Sequence, residues 1–104
     1  MSKYMVLLHP NSESWPKDPK QSLATWEGAA AGADQLLKTG LAKEHGWFTN
    51  LEGYTVFEAE SKEKVLEMVT PFFPLFSYTI HEVVPWEKGR NAVLAGARQA
   101  AGVK

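Results

Sequence analysis

Apolar side chains alternate along four short stretches of this chain and recur every three or four residues in the segments between them. From Lys3 to His9, Tyr4, Val6 and Leu8 point one way and Met5 and Leu7 the other. A strand that is apolar on both faces belongs in the middle of a sheet covered above and below. The run HPNSESWPKDPKQS that follows is rich in Pro, Ser, Asn and Asp, and reads as a long loop. Unstructured loops of about a dozen residues are often functional lids. From Gln21 to Thr39 the residues Leu23, Trp26, Ala30, Ala33 and Leu37 form one stripe at helical spacing. Gly28 and Gly32 weaken that helix by about 1 kcal/mol each if exposed, or else allow close contact between helix and sheet. Gly40 supplies its C-cap.

Two further strands, Ala42 to Thr49 and Tyr54 to Glu60, are joined through Asn50-Leu51-Glu52-Gly53, whose Asn and Gly suit a turn with positive φ. Ser61 is a good N-cap for a helix over Lys62 to Val69 with Val65, Leu66 and Val69 facing inward. Pro71 and Pro74 end it, and the segment PFFPLFS reads as filling for a core or interface. A last strand, Tyr78 to Trp86, leads into a tail with Val93, Leu94, Ala97 and Ala101 along one helical side. The order β-α-β-β-α-β is the split pattern of a ferredoxin-like antiparallel sheet. The expected fold is therefore α+β, one domain over residues 1–104, with two helices on one sheet face and an added C-terminal helix. The other face would then expose either Met5 and Leu7 or Tyr4, Val6 and Leu8. Exposed apolar area costs about 25 cal/mol per Å². A symmetric homodimer with its two sheets face to face removes that cost, so the chain itself is the expected partner.

Composition narrows the function classes. A chain of 104 residues buries roughly two-thirds of its unfolded surface, enough for a core without staples. The net charge of −1 and the lack of any basic run give no reason to expect nucleic acid. With Cys 0, disulfides, thiolate catalysis and Cys-based metal sites are excluded. The apolar run near Met5 is too short for a signal peptide, and no stretch approaches a membrane span, so a cytoplasmic protein without a membrane partner is expected. Trp 4, Tyr 3 and Phe 5 are more large rings than a small core needs, which points some of them to a pocket or subunit interface.

The stretch GYTVFEAES, the helix after it, and VTPFFPLFSYTIHEVVPW together resemble the dimeric α/β-barrel superfamily, closest to the muconolactone-isomerase-like and YCII-like families. The resemblance spans roughly residues 3 to 86: a Gly opens the third strand, an acid–small–x–Ser run leads into the second helix, and Pro-Trp ends the fourth strand. It implies the ferredoxin-like fold and a homodimer, and by analogy an isomerase or lyase acting on lactones. The YCII-like pattern carries Asp-Pro-Phe after the second helix, partnered by a His in the first. This chain has Thr70-Pro71-Phe72 and no His in its first helix, so that pair is not carried over. Cofactor-free monooxygenases share the architecture and offer a further alternative.

A hairpin folded about Asn50 to Gly53 would set Thr49 opposite Tyr54, Trp47 opposite Val56 and His45 opposite Glu58, all on one face. His45 and Glu58 then form either a proton-transfer unit, with Glu58 orienting the imidazole, or a plain cross-strand pair. Trp47, Thr49 and Tyr54 would line a pocket for a small aromatic or unsaturated carbonyl compound, with Tyr54 or His9 as second proton donor. His9 ends a strand where the long loop begins, a place for either a catalytic group or a loop anchor. His81 is a pocket residue or a histidine at the dimer seam. Trp15 closes over a pocket, docks on the partner, or packs locally on the first helix. Three His without HxH or HxxxH spacing give no metal site, and no cofactor motif is present. Two functions compete: a cofactor-free proton-transfer isomerase or lyase, and a non-catalytic binding or stress-type homodimer.

Overall fold

The strand that is apolar on both faces takes the central place its pattern predicts. In a computed structural model describing residues 1–103, the elements are β1 (Ser2–Pro10), α1 (Pro19–Lys38), β2 (Ala42–Trp47), β3 (Gly53–Ala59), α2 (Lys62–Val69), β4 (Phe76–Val83) and α3 (Trp86–Ala100). The four strands form one sheet in the order β2-β3-β1-β4, and every pairing is antiparallel. This α+β arrangement is compatible with a ferredoxin-like fold.

The side chains Tyr4, Val6, Phe57 and Ala59 point to the covered face and meet Val65 and Val69 of α2 in the core. On the opposite face Met5, Leu7 and Val56 are half-buried, and among the described residues no second layer lies over them. The sheet is thus covered on one side only.

Each main helix begins on a side-chain cap. The Asp18 carboxylate accepts from the Gln21 N–H at 3.1 Å, with Pro19 in the first turn, and Ser61 Oγ accepts from the Lys64 N–H at 3.2 Å. Gly40, at φ +78°, closes α1 as expected. The inward stripe of α1, however, is rotated from the expected one. Trp26, Ala29, Gly32, Ala33 and Leu36 are half-buried, whereas Leu23 is 59% exposed. Two contacts set this rotation. Trp26 stacks on Trp15 and Phe76, with ring centroids 4.3 and 6.3 Å away. Gly32 faces the Phe72 ring so closely that a Cβ there would lie 2.7 Å from it. Gly32 therefore does permit a close approach, to the segment after α2 and not to a strand, while Gly28 faces open space. In α2, Val65 and Val69 are buried as expected, but Leu66 is exposed and Met68 takes the inner position.

The hairpin differs most. Trp47 pairs with Gly53, Gly46 with Tyr54 and His45 with Thr55, and a bulge interrupts the ladder between Ala42 and Glu44. The positive φ, +69°, falls on Leu51 and not on Asn50 or Gly53. Phe48 N–H donates to the Glu52 carbonyl at 2.7 Å, and Asn50 Oδ1 accepts from the Glu52 N–H at 3.1 Å. These bonds close a loop over residues 48–52.

β4 stops at Val83, short of the expected Trp86, because Pro85 turns the chain into α3. No residue of α3 is buried, and the helix packs substantially against no other element. The molecule is consequently 62 Å long against 28 and 23 Å, with a radius of gyration of 17.6 Å, where a compact chain of this length has about 13 Å.

The burial pattern predicts a sharp contrast between two substitutions. Phe57→Ala should cost about 3–5 kcal/mol in urea unfolding, the range for emptying a buried aromatic site. Leu23→Ser should stay within about 0.5 kcal/mol, as for a surface change. A core-sized loss at Leu23 would contradict the rotation of α1.

Candidate functional site

Ala29, Ala30 and Ala33 are too small to fill the space between α1 and the sheet. A partly open cavity of about 150 Å³ remains there, floored by Leu8, Thr55, Phe57 and Tyr78 and walled by Leu36, Trp47, Phe72 and Phe76. Apolar cavities of this size accommodate a single aromatic ring. Among the described residues, His45 and Asp34 are the ionisable groups at its margin apart from the Tyr78 phenol, and neither Lys nor Arg lines it.

His45 reaches the cavity because β2 runs along the sheet edge with His45 and Trp47 on the covered face. Its Nδ1 lies 2.7 Å from Thr55 Oγ1, directly across the ladder. Burial lowers the imidazole pKa below its ordinary value of 6.5, and the Asp34 carboxylate opposes only part of that shift. The ring is therefore neutral at pH 7, with Nδ1 held by Thr55. Trp47 lies beside it at a centroid distance of 6.0 Å and meets Trp26 edge-on at 5.2 Å.

Tyr78 contributes a second neutral group. Burial pushes its phenol pKa well up, and its hydroxyl oxygen is buried with no hydrogen-bond partner among the described residues. Buried hydroxyls are nearly always paired.

The structure brings together some of the residues singled out in the sequence and separates others. His45 and Trp47 share the covered face. Glu58 projects from the opposite face, where its carboxylate is 4.0 Å from Lys43 Nζ, so it does not orient His45; Thr55 occupies that place. Tyr54 is also on the opposite face. It stacks on Phe48 at 5.6 Å, donates to Glu44 Oε2 at 2.5 Å, and covers Gly46 so closely that a Cβ there would come within 2.6 Å of its ring. The hydrogen bond to Glu44 raises the Tyr54 pKa.

Thr49 lies in the hairpin loop and is exposed. His81 is exposed on the uncovered face of β4, across from Met5. His9 is exposed too, and its Nδ1 is 2.8 Å from Glu52 Oε1. A histidine–carboxylate contact thus exists, but at His9 and not at His45. Trp15 packs locally: its Nε1–H donates to Ser22 Oγ at 2.8 Å and its ring leans on Trp26.

Sequence reasoning missed Tyr78, Thr55 and Asp34. For Tyr78 a usable signal was present, since strand alternation places it on one face with Phe76 and Ile80, both of which pack inward. No protein-family model matches the chain, and no curated protein matches it.

The depressed His45 pKa has a definite consequence for stability. As pH falls through about 6.5, the unfolded chain takes up the proton before the folded one does, so stability present above that pH is lost below it. Urea midpoints of the native protein should therefore fall more steeply between about pH 7 and pH 5 than those of His45→Gln, with His9 and His81 common to both. Parallel pH profiles would show that His45 is not desolvated.

Proposed function

We propose that this protein binds a small aromatic or unsaturated carbonyl compound in the cavity under α1, and that His45 moves a proton on it. One observation carries the reading: a neutral imidazole, anchored at Nδ1 by Thr55, borders an apolar cavity of one-ring size. A base that is unprotonated near pH 7 takes a proton from carbon next to a carbonyl and returns it to another carbon of the conjugated system. The net change is a shift of one double bond, with every atom retained and no cofactor invoked. Trp47 supplies a flat wall for the bound ring. A purely binding role uses the same cavity and differs only in leaving His45 idle.

Proton transfer is visible as exchange of carbon-bound hydrogen on cyclohex-2-enone in deuterium oxide, followed by NMR. The native protein should accelerate it, and His45→Gln should lower the protein-dependent rate by about 100-fold or more, the usual scale for losing a general base. Exchange that persists unchanged in His45→Gln would leave the binding role alone standing.

The same reading includes a second copy of the chain as partner. Met5, Leu7, Val56 and Val83 share the uncovered sheet face, and α3 stands clear with Trp86 81% and Val93 71% exposed. A lone helix of 15 residues is marginal in water without packing. A two-fold dimer supplies each surface with a mate, since the same pair of patches recurs on both copies. Light scattering at micromolar concentration should give twice the 11.6 kDa chain mass. Deleting the segment from Trp86 onward should shift the equilibrium toward monomer; a native protein that is monomeric throughout would overturn the dimer.

A further inference from the structure

The cavity under α1 has one formal charge at its edge, and the fold makes no use of it. His45 is neutral there, and no Lys or Arg is among the described residues that line the space, so the Asp34 carboxylate stands alone. Asp34 is exposed on α1 and enters no ion pair among the described residues. Lys38, one turn further on, lies outside the cavity lining and forms no ion pair with it. Asp is also one of the weaker helix formers in a helix interior. Its field reaches the site, because it opposes part of the shift that burial imposes on His45. Trp47 is the one exposed ring of the lining, and an indole face attracts a cation within about 6 Å. An anion entering this cavity would lose water without finding a counter-charge and would meet the field of Asp34 as well. A cation held at the mouth keeps one side in water and finds a carboxylate and an indole nearby.

We propose that Asp34 sets the charge selectivity of this site: the ligand places its ring or enone in the cavity and carries an ammonium group at the mouth, where Asp34 attracts it, and carboxylates of the same outline are turned away. This rests on the reading of the cavity as a ligand site and names the charge that site accepts. Asp34 acts through its field and needs no hydrogen bond to the ligand. A charge beside an apolar wall is felt over several ångströms and is weakened by salt. A carbonyl elsewhere on the same ligand stays open to His45, so the ammonium suits proton transfer and simple binding alike.

Three one-ring probes of similar size differ in charge at neutral pH: benzylammonium, benzyl alcohol and benzoate. Titrations of the full chain at low ionic strength, followed by NMR at the Trp47 indole N–H, should rank them in that order. Benzylammonium should bind about tenfold or more tighter than benzoate, since one partly exposed charge acts with opposite sign on the two. Added salt should compress the ranking. Asp34→Asn should bind benzyl alcohol as the native protein does and lose most of the ranking. Glu27→Gln removes the same charge from an exposed position of α1 outside the cavity lining, and should keep it. Equal binding of benzylammonium and benzoate by the native protein, with benzyl alcohol still bound, would overturn the role of Asp34 while sparing the cavity. A ranking that survives Asp34→Asn, or that falls equally in Glu27→Gln, would overturn it as well. Failure of all three probes to shift the Trp47 signal of the native protein would remove the cavity reading and this inference together.

Discussion

The space that α1 leaves above the sheet is the constraint on which the rest of this structure turns. Interiors normally pack to crystal-like density, yet here the helix presents Ala29, Ala30 and Ala33 to a sheet floor of Leu8, Phe57 and Tyr78. Two props keep it from collapsing. Trp26 rests on Trp15 and Phe76 at one point, and the Phe72 ring fills the notch at Gly32 at another. They are six residues apart, about 9 Å along a helix axis, and Ala29 lies between them. An empty void costs about 24 cal/mol per Å³, so the 150 Å³ here represents on the order of 3–4 kcal/mol as an upper bound for an open cavity. That is a large share of the roughly 5–15 kcal/mol by which domains are stable. A larger side chain at position 29 or 33 would relieve it. The small residues at 29 and 33, with two aromatic props beside them, leave the room that the proposed ligand would fill.

Which groups face that space follows from the register of one hairpin. Residues alternate faces along a strand, so the pairing of β2 with β3 decides whether His45 keeps company with Glu58 and Tyr54 or with Thr55 and Phe57. Trp47 pairs with Gly53 where a tight turn over Asn50 to Gly53 would pair it with Val56, a shift of three residues. An odd shift exchanges the faces. The chemistry changes accordingly, from a solvated histidine–carboxylate pair to a desolvated imidazole held by a hydroxyl. The first would be raised in basicity by its neighbour; the second is neutral because burial disfavours its charge.

Much of the architecture could be read from the chain because it rests on local signals. The caps at Ser61 and Gly40 and the alternation along β1 and β3 each act within a few residues of themselves, whereas the Asp18 cap, which starts α1 at Pro19, lay in a stretch read as loop. What escaped reading depends on contacts distant in sequence or on uncommon backbone. Leu51 adopts φ +69°, a region where leucine is unusual and Asn or Gly expected, so the turn residues pointed to the wrong geometry. The rotation of α1 is set by Phe72 and Phe76, some forty or fifty residues downstream; the expected stripe held at Trp26 and Ala33, but no periodicity within the helix could choose Ala29 and Leu36 over Leu23 and Leu37. The site suffered most, since His45 and Trp47 were legible as strand residues while their neighbours were not. Tyr78 was legible by alternation but unremarkable until its hydroxyl proved to have no partner among the described residues.

The two faces of the sheet also divide its proposed tasks. The cavity and its polar groups lie between the covered face and α1, whereas Met5, Leu7 and Val56 lie on the other side with His81 and Glu58 around them. A second chain seated on the uncovered face would therefore leave Ala29, Ala33 and the mouth of the cavity untouched. It would instead stiffen the strands that form the cavity floor, because Val56 sits between Thr55 and Phe57 on one strand and Leu7 between Val6 and Leu8 on another. Packing on one side of a strand limits the movement of side chains on its other side. An assembly of this kind needs no residue shared between copies to make the site: its contribution is to hold Thr55, and through it His45, at a fixed height beneath the helix.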